Sequence, residues 1–403
     1  MKDITVMLKK INTRDLTLGM HVHKFCGRWL DHPFWRSDFT LESHKDILTI
    51  RQSNITEVVI DTHKGLGIVT HFEPCDLTPP ELPDQIIPAP KTVPMGDEIK
   101  QATKVYAKSK KAIQSMFNDA RMGKSIDLST TKTVVSEISQ SVMRNSDALI
   151  SIMRIKTADE YTYMHSVAVC ALMIALANSI GLDQEECTDA GIAGLLHDIG
   201  KTKMPDDILN KPGKLTDQEY ALMKTHPDEG YKILTKHYNV GATALDVCLH
   251  HHEKIDGSGY PMGLKGDQIS LLSRMGAICD VYDAVTSDRP YKKGWNAAEA
   301  LQRMSQWKGH FDPQLFQGFV KMIGIYPIGC LVGLASGKIG VVYEQNKGTL
   351  LKPRVKVFFS SRLNTYIKAE VIDFSDPSIK DKIVGPELPE RWGIKDINHY
   401  WTD

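Results

Sequence analysis

The sequence predicts a mainly α protein: a helical domain preceded by a small β-rich domain and followed by a short β-containing tail. Three observations carry that prediction. Short β-branched runs bounded by turn residues fill the beginning of the chain. A proline-dense stretch follows, after which apolar residues recur at helical spacing, as Val134, Ile138 and Val142 do. Past Tyr326-Pro327 the pattern returns to β-type runs. A chain of 403 residues suits two or three domains better than one.

In order, residues 1–72 contain ITVMLKKI, GMHVHKF and ITEVVID, each read as a strand. Residues 73–95 hold seven of the 19 prolines, from Pro74 to Pro94, and read as an extended linker because proline removes helix donors. Residues 96–326 form the helical domain, with helices expected over 165–180, 187–199, 216–235, 240–252, 271–287 and 296–307. Gly181, Gly213 and Pro261 punctuate them. Residues 327–403 carry KIGVVYE, RVKVFFS and YIKAEVIDF, a β-containing tail that caps the helical domain and bears no chemical motif.

Composition narrows the function classes. Hydrophobic residues at 42% and charged residues at 24% exclude a disordered or low-complexity chain. Basic and acidic residues number 49 each, so no global field draws in polymeric nucleic acid or a membrane, and anion binding must come from a local cluster. Cysteines 26, 75, 170, 187, 248, 279 and 330 show no CxxC spacing and read as reduced thiols. The N-terminus lacks an apolar leader segment, and the longest apolar run, Val167 to Ala177, is shorter than the ~20 residues a bilayer requires. A cytoplasmic protein is expected.

The histidines carry the chemistry. Seven of 15 fall between 165 and 252. They sit in YMHSV (His165), LLHDIGK (His197, Asp198, Lys201), KTHPDEG (His226) and HHHEKIDGSGYP (His250, His251, His252, Glu253), with AICDVYDAVTSDRPYKK (Asp280, Asp283, Arg289, Lys292) following. His197-Asp198 ends the small-residue and leucine run AGIAGLL, where adjacent ionisable groups are costly to bury without compensation, and a metal ion compensates well. Histidine and carboxylate without thiolate suit iron, manganese or zinc. If the helix continues, Lys201 lies one turn beyond His197 and can reach a phosphate or leaving-group oxygen. His237 reads as a surface residue.

The order H…HD…H…HHExxDGxGYP…D resembles the HD-GYP subgroup of HD-superfamily phosphohydrolases. HDIGK at 197–201 and HHEKIDGSGYP at 251–261 match its two signature motifs, and TSDRPYKK at 286–293 resembles the segment after them. GRWLDHPFWRSDF at 27–39 is similar to the uncharacterised domain that often precedes HD-GYP modules. The resemblance implies an all-helical metal-dependent phosphohydrolase domain. Its metal ligands would be His165, His197, Asp198, His226, His251, His252 and Asp280, with Asp198 bridging. Lys201 would assist catalysis alongside Asp198. Arg289 and Lys292 would bind substrate phosphate and base. Gly257, Gly259 and Tyr260 belong to a loop linked to substrate or partner contacts, although on physical grounds alone the loop reads as a glycine-rich turn. His250 matches no ligand of the family.

The implied reaction is hydrolysis of a cyclic dinucleotide to a linear one by metal-activated hydroxide, on cyclic di-GMP or 3′,3′-cyclic GMP-AMP. The layout is similar to that of vibrio enzymes acting on the latter, and the motifs leave both substrates open. Two divalent ions are expected, iron or manganese with zinc also suited. Some family members hold a third metal with a glutamate four residues before the first histidine. Here Tyr161 stands there, and Glu160 is rotated about 100° away on a helix. A GGDEF-type cyclase is an implied partner. Two alternatives stay open: a non-catalytic module that senses a cyclic dinucleotide, and an HD-type hydrolase of another phosphate ester or a diiron oxygenase. For residues 1–72 a structural or dimerising role is expected, with an aromatic patch around Trp29, Phe34 and Trp35.

Overall fold

A computed structural model describes residues 8–13, 16, 19–26, 38–41, 43–53, 55–62, 64–65, 93–124, 127–153, 161–237, 240–288, 293–346, 349 and 351–402. The chain divides into two compact units, 1–89 and 90–403. Most of the expected linker, 73–92, and the aromatic patch at Trp29, Phe34 and Trp35 lie outside the described residues.

The first unit contains β1 (Leu8–Asn12), β2 (His21–Cys26), β3 (Phe39–Thr40), α1 (His44–Gln52) and β4 (Glu57–Asp61), with an antiparallel sheet in the order β1-β4-β2-β3. The three expected strands are β1, β2 and β4. Alternation along β4 turns Val58 and Ile60 inward, where they join Val22, Phe25 and Ile50 in a core closed to solvent. Ser43 accepts the Asp46 N–H and so starts α1, whose Ile47 and Ile50 complete that core.

The second unit begins with α2 (Met95–Arg121), inside the last position assigned to the linker, followed by α3 (Leu128–Met153), α4 (Tyr161–Ser179) and α5 (Gln184–Leu196). A 3₁₀ turn (Ile199–Lys203) comes next. It is followed by α6 (Asp206–Leu209), α7 (Asp217–Met223), α8 (His226–His237), α9 (Ala242–His250), α10 (Leu271–Thr286), α11 (Ala297–Ser305) and α12 (Pro313–Ile323). The apolar run Val167–Ala177 is the buried centre of α4, around which α2, α3, α5, α10 and α12 pack. Small residues let α5 approach it closely. A Cβ at Gly194 would meet Cys170 Cα at 3.0 Å, and one at Gly191 would meet Ile174 Cδ1 at 2.7 Å. Asp183 and Glu186 form a reciprocal capping box at the start of α5.

Two helix expectations change. The segment 187–199 stops as an α-helix at Leu196, and 216–235 is two helices, α7 and α8, separated at Lys224–Thr225. Both breaks fall beside a histidine of the motif set. Periodicity did not reveal them, because apolar spacing continues through a one-turn interruption.

The tail forms an antiparallel sheet of β5 (Leu331–Leu334), β6 (Lys338–Glu344), β7 (Arg354–Ser360), β8 (Thr365–Asp373) and β9 (Ile383–Pro386), in the order β8-β7-β6-β5-β9, and ends in α13 (His399–Thr402). Cys330 Sγ, 3.3 Å from Asn296 Oδ1, ties this sheet to the start of α11. Cys170, Cys187, Cys248, Cys279 and Cys330 are buried and stand outside any disulfide. Among the described residues no helix is long and apolar enough to cross a membrane.

Candidate metal centre

Five segments deliver the motif residues to one buried place. His165 projects from α4, His197 terminates α5, Asp198 leads into the 3₁₀ turn, His226 opens α8, His251 terminates α9, and Asp280 lies on α10. Glycine makes the convergence possible. A Cβ at Gly200 would stand 1.8 Å from the His226 carbonyl oxygen, so the turn after HD reaches the start of α8 only without a side chain. His165, His197, Asp198, His226, His251 and Asp280 are all buried, whereas the His252 side chain retains 21% exposure and marks the open side.

The two carboxylate oxygens of Asp198 face different histidines. Oδ2 lies 3.4 Å from His165 Nε2 and 3.3 Å from His197 Nε2. Oδ1 lies 3.2 Å from His226 Nε2 and 3.7 Å from His251 Nε2. Asp280 continues the arrangement, with Oδ1 at 3.0 Å from His165 Nε2 and Oδ2 at 3.8 Å from His252 Nδ1. Three ligand-like triads result: His165–His197–Asp280, His197–Asp198–His251 and His226–His251–His252.

Backbone carbonyls fix the rings. His197 Nδ1 donates to Gly194 O at 2.8 Å, His226 Nδ1 to Met223 O at 2.8 Å, and His251 Nδ1 to Val247 O at 3.0 Å. A carbonyl only accepts, so Nδ1 carries the proton, and in the neutral ring Nε2 presents a lone pair to the centre. His226 Nε2 and His251 Nε2 then point at each other across 3.3 Å. His197 Nε2 and Asp198 Oδ1 are buried without a hydrogen-bond partner. Converging lone pairs that find no proton donor fit a cation between them. The donor set, nitrogen and carboxylate without thiolate, is that of a divalent metal site.

Electrostatics agree. Burial opposes charge on His165, but hydrogen bonds to Asp198, Asp280 and Asp283 outweigh it and raise its pKa to about 10. Burial also opposes ionisation of Asp198 and Asp280, yet the surrounding histidines, and for Asp198 also Lys201, hold both well below the usual carboxylate range. Burial and neighbouring rings push His251 down to about 3. The centre thus keeps its carboxylates charged and some rings neutral, which is the state metal binding needs.

Lys201 pairs with Asp198 Oδ2. The 3₁₀ turn, not a continued α-helix, makes the contact, because it brings residues three apart onto one side. His250 points elsewhere: its Nδ1 bonds Asp246 Oδ1 at 2.8 Å, and Asp246 also accepts Ser273 Oγ at 2.7 Å. Arg289, Lys292 and Glu160 lie outside the described residues, as do the side chains of Tyr161 and His237.

Two functional residues had no assigned role in the sequence. Asp283 Oδ2 meets His165 Nδ1 at 2.7 Å and turns that ring toward the centre. Its position three residues after Asp280 on a helix was the available signal. Glu253 is buried and accepts Met262 N–H at 2.7 Å and Leu264 N–H at 3.1 Å, anchoring the glycine-rich loop. The loop's glycines have backbone reasons: φ is +83° at Gly257, and a Cβ at Gly259 would meet Lys254 N at 2.4 Å. Tyr260 is the loop side chain that reaches the centre, stacked on His252 at 4.7 Å.

Comparison with known proteins identifies relatives of both parts of the chain. A family model described as an HD domain matches residues 146–315, and one described as a domain of unknown function (DUF3391) matches 8–131. The chain is 53% identical over 399 residues to a cyclic di-GMP phosphodiesterase of Pseudomonas aeruginosa, covering 98% of this chain and 96% of the relative. It is 43% identical over 151 residues to the cyclic di-GMP phosphodiesterase response regulator RpfG of Xanthomonas campestris, covering 36% of this chain and 39% of that one. It is 40% identical over 158 residues to a 3′3′-cGAMP-specific phosphodiesterase of Vibrio cholerae, covering 39% and 30% respectively.

Proposed function

Because the chain belongs to the HD-GYP family of HD-domain phosphodiesterases, we propose that it binds two divalent metal ions bridged by Asp198 and with them hydrolyses cyclic di-GMP or 3′,3′-cyclic GMP-AMP to the linear dinucleotide. The chain is an enzyme of cyclic dinucleotide hydrolysis. The observation that carries the metal reading is the division of the Asp198 carboxylate, with Oδ2 facing His165 and His197 and Oδ1 facing His226 and His251. His252 and Asp280 complete the ligand set. Iron or manganese is the proposed metal, and zinc also suits these donors.

When bound, the metal pair supplies Lewis acidity, which lowers the pKa of water and neutralises phosphoryl charge. The protein residues do the rest. Asp283 orients His165, and the carbonyls of Gly194, Met223 and Val247 orient His197, His226 and His251, so no reorganisation is needed when substrate arrives. Lys201, seated on Asp198, supplies positive charge and a proton at the leaving 3′ oxygen. Arg289 and Lys292 hold phosphate and base. Tyr260, stacked on His252, shields the open side from bulk water. The Gly257–Pro261 loop, exposed at Ser258 and at Asp256 beside it, is the proposed contact for a GGDEF-type cyclase.

The test is a side-by-side turnover assay of manganese- or iron(II)-loaded protein on the two cyclic dinucleotides. Cleavage of either is expected, and the ratio of kcat/KM values names the preferred one. Metal-loaded protein that binds but cuts neither would instead make the chain a sensing module.

A further inference from the structure

A cleft of about 200 Å³ adjoins the metal centre on the Lys201 side. It lies between the last turns of α2, the start of α4, the 3₁₀ turn and α6. One wall is aromatic: Phe117 and Tyr163 meet edge to face with ring centroids 5.7 Å apart. The rim is polar, with the amides of Asn118 and Asn210 and the guanidinium of Arg121. Arg121 Nη1 is held by Asp206 at 2.9 Å, which links α2 to α6 across the rim. Lys201 belongs to both places, since it lines the cleft and pairs with Asp198.

Size and chemistry select the occupant. Drug-sized ligands take clefts of roughly 300–1,000 Å³. This one is smaller and suits one planar ring system. Aromatic edges give a base an apolar surface. A guanidinium steadied by a carboxylate keeps two N–H groups in a fixed fork, which matches O6 and N7 of guanine, whereas adenine offers an amino donor in place of O6. Helix α2 lies outside the residues that match the HD-domain model.

Resting on the phosphodiesterase reading above, we infer that this cleft receives one guanine of the cyclic dinucleotide, with Arg121 reading its edge and Asp206 positioning Arg121. A guanine there would set which phosphodiester lies beside Lys201. Cyclic di-GMP has two equivalent bonds. In 3′,3′-cyclic GMP-AMP the bonds differ, so seating the guanine exposes one of them and a single linear isomer forms.

The test separates base recognition from catalysis. Binding of cyclic di-GMP, 3′,3′-cyclic GMP-AMP and cyclic di-AMP to metal-free protein is measured by calorimetry; the three ligands share charge and differ in bases. The two guanine-containing ligands are expected to bind on the order of tenfold more tightly than cyclic di-AMP. Arg121→Ala and Arg121→Lys should bring all three within about threefold, the lysine variant because it keeps the charge and loses the fork. Arg121 is exposed at a helix end, so these variants leave the core untouched. Equal binding of the three ligands by the native chain, or an unchanged preference in both variants, would overturn the inference. Failure of manganese-loaded protein to cut cyclic di-GMP, with the guanine preference intact, would instead count against the phosphodiesterase reading alone.

Discussion

Two histidine–aspartate groupings, one in each compact unit, are opposite in kind. In the N-terminal sheet, His21 uses both ring nitrogens in hydrogen bonds, Nδ1 with Thr40 Oγ1 at 2.9 Å and Nε2 with Asp38. Asp38 is half exposed and also meets Lys64 at 3.3 Å. Its pKa is lowered, first by the hydrogen bond from His21. His23 Nδ1 lies 3.6 Å from Asp38 Oδ2 without a hydrogen bond, but the carboxylate it faces is open to solvent and already paired with His21 and Lys64. The grouping fastens β2 to β3, where His21 stands opposite Thr40. In the helical domain the same residue types are buried, carbonyls occupy three Nδ1 atoms, and the Nε2 atoms converge on two carboxylates. Residue type does not separate the two; the direction of the lone pairs does.

The sharpest way to break this comparison is to remove one carboxylate from each grouping. Asp198→Ala should eliminate bound metal and reduce turnover below detection, because both histidine pairs lose their shared partner. Asp38→Asn should leave metal content and turnover at native values. Metal analysis by mass spectrometry decides, and a loss of metal in the Asp38 variant would show that the two groupings are not distinct.

Next in size is Asp283→Asn. It keeps volume but weakens the hold on His165 Nδ1, and metal affinity or activity should fall about 10–100-fold. Unchanged affinity would mean that packing alone orients the ring.

Proton competition sharpens the same point. His165 is protonated below about pH 10 in the metal-free protein, so its Nε2 must release a proton on binding metal. Manganese affinity should therefore rise with pH, by about tenfold per unit for each proton released, between pH 6.5 and 8.5. A flat profile in calorimetric titrations contradicts the charge state assigned to the centre.

Smaller effects follow at the loop and the sheet. Glu253→Ala leaves the part-buried N–H groups of Met262 and Leu264 without their acceptor and should cost about 1–3 kcal/mol in thermal unfolding, with a raised KM and metal content retained. Metal loss there would make Glu253 part of the centre itself. His21→Ala, which removes a buried ring and its bonds to Thr40 and Asp38, should cost about 1–2 kcal/mol in denaturant unfolding.

Much of the centre was legible because its proposed ligands sit in compact motifs. His165, His197, Asp198, His226, His251, His252 and Asp280 were all named from the sequence, and the structure brings them together. The strands KIGVVYE, RVKVFFS and YIKAEVIDF appear as β6, β7 and β8, since a run of β-branched and aromatic residues is a local signal. What stayed illegible depends on distance along the chain. Asp283 acquires its role from a histidine 118 residues away, and Glu253 from amides of a loop that must first fold back. His197 and His226 stand at helix ends where Gly200 packs against the His226 carbonyl, a long-range contact that no periodicity encodes. The strands β5 and β9 form one side of the tail sheet in four-residue pieces too short to announce themselves.

The central claim is that Asp198 joins two metal ions in one hydrolytic centre. The most direct test titrates manganese into metal-free protein anaerobically while bound metal and cyclic di-GMP hydrolysis are followed together. Hydrolysis should stay low through the first equivalent, rise with the second and level off there. Full activity at one equivalent, or a further rise with a third bound ion, would contradict the account.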